Sequence, residues 1–427
     1  MNFDEKLEEL VKGLSEKREI VERQEDLFLE KTVEVFTRED LTRKIDKSIK
    51  NKKPLVIKHG IDPTSNYLHL GHYISLRKLR ILQRLGHQIV FLIGDLTAQI
   101  GDPSDKTAER KPLTEKEVKE NIKGLRRQIG KALSLSSKDK EILPVKIVYN
   151  SQWLKKMPLS EFLSLTSLMT VSRMLERDNF AKRFKENKPI SIREFLYPFL
   201  QGYDSVELKS DIEIGGTDQT FNMLAGRQIE EAYGLEPQAV ITLPLLLGTD
   251  GRKMSKSLGN CISLADSSED VFGKIMSIPD NLLKDYFYLL TDLSFSQWRQ
   301  ITDEMRKGYN PKKVKEALAS ILVANLFSPE IAKKEKEKFN RLFAKKVVTD
   351  KDVKEIFTRG PIKLIDLLNK EKIIKSKSEA RRLISSKAIK LIEGQGQIVI
   401  SNPDYLIEKS GSIFKIGKRI FIKVIFR

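Results

Sequence analysis

Five short apolar runs constrain the fold most: "PLVIKHGID", "QIVFLIGD", "PVKIVYN", "SDIEIGG" and "AVITLPLLLG". Each is rich in β-branched residues, and stretches with helical spacing separate them. Strands of this kind joined by helices predict an α/β fold with a mainly parallel, doubly wound sheet. Several runs end in Gly, Asp, Asn or Thr, at the edge where such sheets bind ligands. The intervals 101–144 and 151–210 hold more helix than one crossover requires and read as insertions. From Ser267 to about Ala344 the pattern is helical with no clear strand, and Ser267 with Asp270 marks a helix start.

A length of 427 residues gives a prior of about three domains. With 40% hydrophobic and 32% charged residues, the chain has enough apolar side chains for a real core. The lone cysteine, Cys261, excludes an intramolecular disulfide framework. The start, "MNFDEKLEELVKG", is charged from its fourth residue and does not read as a signal peptide. No stretch approaches the roughly 18 apolar residues of a membrane span, so a cytoplasmic location without membrane partners is expected. Residues 1 to about 50 are charged and helical in pattern, with Leu7, Leu10, Val11 and Leu14 at helical spacing.

Net charge is +18, and its distribution is uneven. Between Pro361 and Arg427 there are 15 Lys and Arg against 6 Asp and Glu, a surplus of nine and half of the total excess. A basic terminal module of this kind points to a polyanionic partner, nucleic acid first; the plainer reading is a lysine-rich surface. Ahead of it, "AKKVVTDKDVKEIFTRGP" reads as a linker. Within it, Ser376 and Glu379 have capping-box spacing before Ala380, Leu383 and Ile384, with Lys377, Arg381 and Arg382 on the opposite, basic face.

Two short motifs carry chemistry. "HLGH" spends two of the four histidines, His69 and His72, around Gly71 at the start of a helical pattern. Solvated first-turn residues are the plain reading, and a metal site lacks further ligands nearby. A phosphate-facing turn is the sharper reading, because glycine lets backbone approach a ligand and a helix N-terminus attracts negative charge. "GTDGRKMSKSLGN" follows the last apolar strand, with Lys253 and Lys256 three apart and serines at 255 and 257. Alone it reads as a solvated turn, and it is not a Walker P-loop. Two ammonium groups on such a loop could also close over a triphosphate and stabilise charge on departing pyrophosphate.

In this order, on a nucleotide-type fold, "HLGH" and "KMSKS" resemble the two signatures of class I aminoacyl-tRNA synthetases. "GIDPTSNYLHLGH", "LIGDLTAQIGDPS", "MLERDNFAKRF", "QGYDSVEL" and "IGGTDQTFN" further resemble tyrosyl-tRNA synthetases of the bacterial type, from about residue 33 to the end. The resemblance implies a Rossmann-like catalytic domain with a helical insertion, a following helical domain, and a small α+β module like the S4 RNA-binding domain. The corresponding segments are 1–32 (helical), 33–247 (catalytic), 248–348 (KMSKS loop and anticodon-stem region), 349–360 (linker) and 361–427 (S4-like). It implies activation of L-tyrosine with ATP and Mg²⁺, transfer of tyrosyl to the terminal ribose of tRNA(Tyr), and a homodimer built on the inserted helices.

The implied residue roles follow the matched motifs. His69, His72, Lys253 and Lys256 would stabilise the phosphates during adenylation. Asp62, Thr64, Gly71, Met254 and Ser255 would line the ATP side, and Gly216 and Asp218 would meet the adenosine ribose. Asp204 would accept the hydrogen bond of the substrate phenol. Tyr197, Gln201 and Asp102 would hold its ammonium group with Thr97 close by, and Gln219 would lie near its carboxylate. Lys377, Arg381 and Arg382 would contact tRNA. One departure stands out: many relatives carry a tyrosine as second phenol contact where this chain has Lys58, which cannot be carried over as its replacement. Tryptophanyl-tRNA synthetase is the nearest rival, and the "QGYD" context of Asp204 and the basic tail argue against it. A nucleotidylyltransferase would leave the tail unexplained, and an RNA-binding protein without catalysis would leave "KMSKS" unexplained.

Overall fold

The apolar runs become the strands of a six-stranded sheet in a computed structural model. The structure describes residues 2–15, 24–104, 112–136, 142–256, 258–344, 353–374, 376–393, 396–417 and 420–427. Contacts divide the chain into two units, residues 1–329 and 330–427. The division falls inside the segment 248–348, ahead of the stretch that reads as a linker.

In the first unit the strands are β1 (Glu34–Phe36), β2 (Val56–Ile61), β3 (Gln88–Ile93), β4 (Lys146–Tyr149), β5 (Ile212–Gly216) and β6 (Ala239–Leu243), in the order β1-β6-β5-β2-β3-β4. All neighbours are parallel except β1, which runs antiparallel to β6. The central strands are buried along nearly their whole length, as strands covered on both faces must be. The edge strand β1 departs from the helical reading of residues 1–50. It has only three residues, its Glu34 is exposed, and so short a segment carries no period.

The chain leaves β2 toward β3 and β4 on one side, then returns to build β5 and β6 on the other. The carboxyl ends of β2 and β5 are therefore the switch point, where a crevice opens between diverging loops. Helix α1 spans Phe3–Ser15, α2 Gln24–Leu29 and α3 Arg38–Asn51, and α4, Leu70–Arg84, follows β2 with its N-terminus at the crevice. The insertions supply helices Leu159–Thr166, Val171–Leu175 and Asp178–Lys185 and the long helix Ile192–Leu208, which packs on helix Thr220–Ala232. Ser267 caps helix Ser268–Met276 through the Asp270 amide, as its spacing predicts.

A buried polar staple anchors α4. Lys78 lies fully inside, and its Nζ donates to the carbonyls of Leu27 (2.6 Å), Phe28 (3.2 Å) and Glu30. Burial, helped by neighbouring Arg77, pulls its pKa down to about 7. Arg77 and Arg80 pair with Asp292 at 2.8 and 3.0 Å, and Lys31 Nζ donates to the Thr291 carbonyl at 2.8 Å. The C-terminal end of α2 thereby satisfies a cation on the helix that opens at the crevice.

Beyond helix Pro329–Phe339, the second unit has a five-stranded sheet onto which two further helices pack. Its strands are β7 (Lys354–Thr358), β8 (Ile362–Lys363), β9 (Ile389–Glu393), β10 (Gly396–Val399), β11 (Leu406–Ile407), β12 (Ser412–Ile416) and β13 (Ile420–Phe426). The main sheet runs β10-β9-β12-β13-β7, while β8 pairs β11. Residues 354–358, read as linker, are thus a strand parallel to β13: only Ile356 and Thr358 are buried, and the charged flanks hide that alternation. Helices Leu364–Lys370 and Lys377–Ser385 pack Leu364, Leu368, Ala380 and Ile384 against Phe414, Ile422 and Val424. Ser376 caps the second helix by accepting from the Glu379 amide.

Candidate active site

A cavity of about 570 Å³ opens at the switch point. Sixteen residues singled out in the sequence line it: Asp62, Thr64, His69, Gly71, His72, Thr97, Asp102, Tyr197, Gln201, Asp204, Gly216, Asp218, Gln219, Lys253, Met254 and Ser255. Lys256 stands outside that wall, its Nζ 5.2 Å from the Tyr67 ring centroid. Lys377, Arg381 and Arg382 belong to the other unit, all three exposed on one helix face. Lys377 there meets Asp366 at 2.7 Å.

The first histidine is the N-cap of α4. Its Nδ1 accepts from the Gly71 amide at 3.2 Å, and His72 Nδ1 accepts from the His69 amide at 3.2 Å. An imidazole that accepts through Nδ1 carries its proton on Nε2, so each ring is left with an Nε2–H donor. Burial, with the charge of Lys256, pushes the His69 pKa down to about 3. The His72 pKa is also well below its usual value, through burial and then His69 and Lys256. Both rings are therefore neutral dipoles at physiological pH. Gly71 is required here: a Cβ would meet His69 Cε1 at 2.9 Å and Nδ1 at 3.0 Å. Gly216 is equally confined, since a Cβ would lie 2.6 Å from Asp218 Oδ1.

The floor of the cavity is a continuous polar chain. Asp62 accepts from Thr97 Oγ1 at 2.7 Å and from the Tyr197 hydroxyl at 3.1 Å. Asn150 Nδ2 donates to Thr97 Oγ1 (3.1 Å) and to Asp204 Oδ2 (3.3 Å), and Trp153 Nε1 donates to Asp204 Oδ1 (2.8 Å). Asp204 is buried, and burial raises its pKa to about 7 against the opposing pull of Lys58, Trp153 and Asn150. Toward the mouth, Gln219 Nε2 donates to Asp102 Oδ2 at 2.8 Å, and Lys253 lies 3.4 Å from Asp218 Oδ2. Burial, with the charge of Asp102, raises the Asp218 pKa to about 6.

The Asn260 side chain ties three points of the lysine loop together. Asn260 donates to Asp250 Oδ1 (2.7 Å) and to the Lys253 carbonyl (3.1 Å), and its Oδ1 accepts from the Ser255 amide (2.8 Å). The loop also meets the histidine turn: Leu70 N donates to Ile262 O at 3.0 Å, and His69 bridges Ser263. The two motifs, about 180 residues apart in sequence, are neighbours.

Sequence reasoning missed Asn150, Trp153, Lys58 and Glu213 as site residues. Asn150 had a signal, since it follows β4 at the ligand-binding edge. Trp153 had none beyond lying one turn later. Lys58 is fully buried, and its Nζ bonds the Gln201 carbonyl (3.0 Å), Ser205 Oγ (2.7 Å) and Glu213 Oε1 (3.0 Å).

Residues 50–344 match the family described as tRNA synthetases class I (W and Y). The tyrosine–tRNA ligase of Carboxydothermus hydrogenoformans is 43% identical, over 95% of this chain and 98% of its own length. That of Chlorobaculum tepidum is 45% identical, over 95% and 97%. Among solved structures, a C-terminally truncated Aspergillus nidulans mitochondrial tyrosyl-tRNA synthetase superposes with a TM-score of 0.62 at 21% identity, over 80% of this chain and all of that one. An Archaeoglobus fulgidus tyrosyl-tRNA synthetase complexed with L-tyrosine gives 0.57 at 23%, over 73% and 98%; at these identities both speak for the fold alone. With family match and close relatives each spanning most of its length, the chain belongs to the class I tRNA synthetases, and among them to the tyrosine–tRNA ligases of the bacterial type.

Proposed function

We propose that the cavity runs the two steps of a tyrosine–tRNA ligase. The tyrosine carboxylate attacks the α-phosphorus of ATP, forming the carboxylate–phosphate bond as the bond to the bridging oxygen breaks and pyrophosphate leaves. The terminal ribose hydroxyl of tRNA(Tyr) then takes the tyrosyl group and AMP departs. No protein nucleophile is needed, so catalysis is positioning plus stabilisation of charge on the phosphates. The observation that carries the reading is the buried Asp204, pinned by two donors at the floor of a cavity whose mouth holds the histidine turn and Lys253.

In this reading Asp204 accepts from the phenol, and Tyr197, Gln201 and Asp102 hold the ammonium group beside Thr97. Gln219 sits near the carboxylate. Asp62, Thr64, Gly71, Met254 and Ser255 line the ATP side, and Gly216 and Asp218 meet the ribose. The Nε2–H groups of His69 and His72 donate to phosphate oxygens, and Lys253 and Lys256 bring positive charge as pyrophosphate departs. Among the described residues no three His, Cys, Asp or Glu side chains are grouped as metal ligands. A Mg²⁺ brought by ATP would need only one or two carboxylates from the protein, and Asp218 in the cavity wall would supply one. When bound it offsets phosphate charge.

Two further assignments belong to the same reading. Helices of the insertion expose large apolar side chains, including Leu159 (72%), Phe184 (62%) and Ile192 (78%), which supports a homodimer with a second copy covering them. The second unit, with its exposed Lys377, Arg381 and Arg382, is read as an S4-like module on tRNA. Among the described residues no helix is long and apolar enough to cross a membrane, and the cytoplasm is the compartment proposed. ATP–pyrophosphate exchange without tRNA tests the core claim. Tyrosine should support it and phenylalanine should be rejected, a discrimination established for this enzyme family at about 10⁵. Comparable exchange with tryptophan or phenylalanine would overturn the assignment.

A further inference from the structure

Lys58 lies under the floor of the cavity, where β2 and β5 pair it directly with Glu213. An ammonium group has three N–H donors, and all three are engaged: by the Gln201 backbone carbonyl, by Ser205 Oγ and by the Glu213 carboxylate. It has none to offer a substrate phenol. Its partners instead flank Asp204 on helix Ile192–Leu208, three residues before it and one after. Glu213 completes the arrangement by accepting from Gln201 Nε2 at 3.3 Å, from Ser205 Oγ at 3.4 Å and from Gln238 Nε2. A carboxylate can only accept, so it fixes which way the Gln201 side-chain amide faces: Nε2 toward Glu213, Oε1 left over.

We propose that Lys58 and Glu213 form a positioning unit that determines specificity beneath the tyrosine site, turning the Gln201 side-chain Oε1 toward the substrate ammonium and keeping Asp204 in its acceptor form. This rests on the tyrosine-activating function proposed above. Asp204 acts as an acceptor because Trp153 and Asn150 each point a donor at one of its oxygens, an arrangement that favours the carboxylate. The charged and titratable groups around it are Lys58 from β2, Glu213 from β5 and Tyr197 from its own helix. Glu230, from helix Thr220–Ala232, faces the Lys58–Glu213 pair. Burial drives Asp204 toward protonation and Lys58 opposes it, while Glu213 reinforces burial. The pair thus sets both the location and the charge of the phenol acceptor.

The test is the pH profile of kcat/KM for tyrosine in exchange, which reports ionisations of the free enzyme. Lys58→Met removes the cation, and the acid limb should move to higher pH by about one unit or more, as removal of an adjacent opposite charge does. With the native pKa at about 7, that is a decrease of about fivefold or more at pH 7, with a reduced preference for tyrosine over phenylalanine. Glu213→Gln should move the limb the opposite way. The double variant Lys58→Met/Glu213→Gln, which leaves no buried charge unpaired, should fall between them, and it carries the test with Glu213→Gln if Lys58→Met fails to fold. Identical limbs and identical discrimination in the variants that fold would overturn the proposal, as would parallel losses for tyrosine and ATP with no displaced limb. Absence of tyrosine-dependent exchange in the unsubstituted enzyme would count against the functional reading itself.

Discussion

Replacing Asp204 by asparagine changes one atom and inverts one hydrogen-bonding role. In the native site, Oδ1 accepts from Trp153 Nε1 and Oδ2 from Asn150 Nδ2. An asparagine amide must turn its NH₂ toward one of these, and both are donors. Trp153 has nothing else to present, because an indole nitrogen only donates. Asn150 cannot flip without cost, because its Oδ1 already accepts from the Leu96 amide at 3.0 Å. The variant loses a charge-assisted bond to the substrate phenol, worth about 1.5–3 kcal/mol, or roughly 10- to 10²-fold in kcat/KM for tyrosine. Nothing in the change touches the ATP side, so the KM for ATP should hold. Exchange at pH 8 measures the loss with native Asp204 ionised. The sign of the pH effect follows from its pKa of about 7: kcat/KM for tyrosine in the native enzyme falls as pH drops through 7, while Asp204→Asn, with nothing to protonate, shows no such limb. An asparagine variant that keeps the limb, or that rejects phenylalanine as the native enzyme does, would refute Asp204 as phenol partner.

Lys253→Ala and Lys256→Ala should each slow adenylation in pre-steady-state measurements by about 10²–10³-fold, roughly 2.7–4 kcal/mol, with little change in tyrosine affinity; effects confined to tyrosine binding would remove them from the catalytic set. The imidazoles of His69 and His72 should remain neutral Nε2–H tautomers from pH 8 down to 5 in ¹⁵N NMR, because their pKa values are pushed down rather than up, and a titration near 6.5 would contradict the capping geometry. In the full-length protein, Arg381→Glu with Arg382→Glu should flatten the salt dependence of tRNA binding while exchange persists. The log slope should shrink by about 0.7–0.9 for each phosphate no longer neutralised, and an unchanged slope would leave the basic face a solubility feature.

The catalytic half was legible wherever local sequence dictates the outcome. The five long strands announce themselves by β-branched runs, and the histidine turn by a glycine that no other residue could replace without striking His69. What escaped is non-local or too short to show a period. The pairing of Lys58 with Glu213 depends on two parallel strands aligning residues 155 positions apart, and Lys58 read alone is only a departure from a tyrosine. Trp153 reaches Asp204 because a short helix after β4 meets the long inserted helix, a meeting no spacing encodes. Strand β7 was hidden by charged neighbours, and a cut at residue 360 would strip β13 of its parallel partner.

The staple on Lys78 bears on how small a working enzyme can be made. The region matched by the family begins at residue 50, and that boundary invites a minimal fragment. Such a fragment would lack the carbonyls of Leu27, Phe28 and Glu30, the three acceptors of a fully buried ammonium group. The ammonium would have to lose its proton or draw solvent into the middle of the helix whose first turn bears His69 and His72. Shortened forms would then fail at phosphate chemistry although every residue near ATP remained. Portability of the catalytic body, in a graft or a split enzyme, begins no later than residue 24, well ahead of the first recognisable motif.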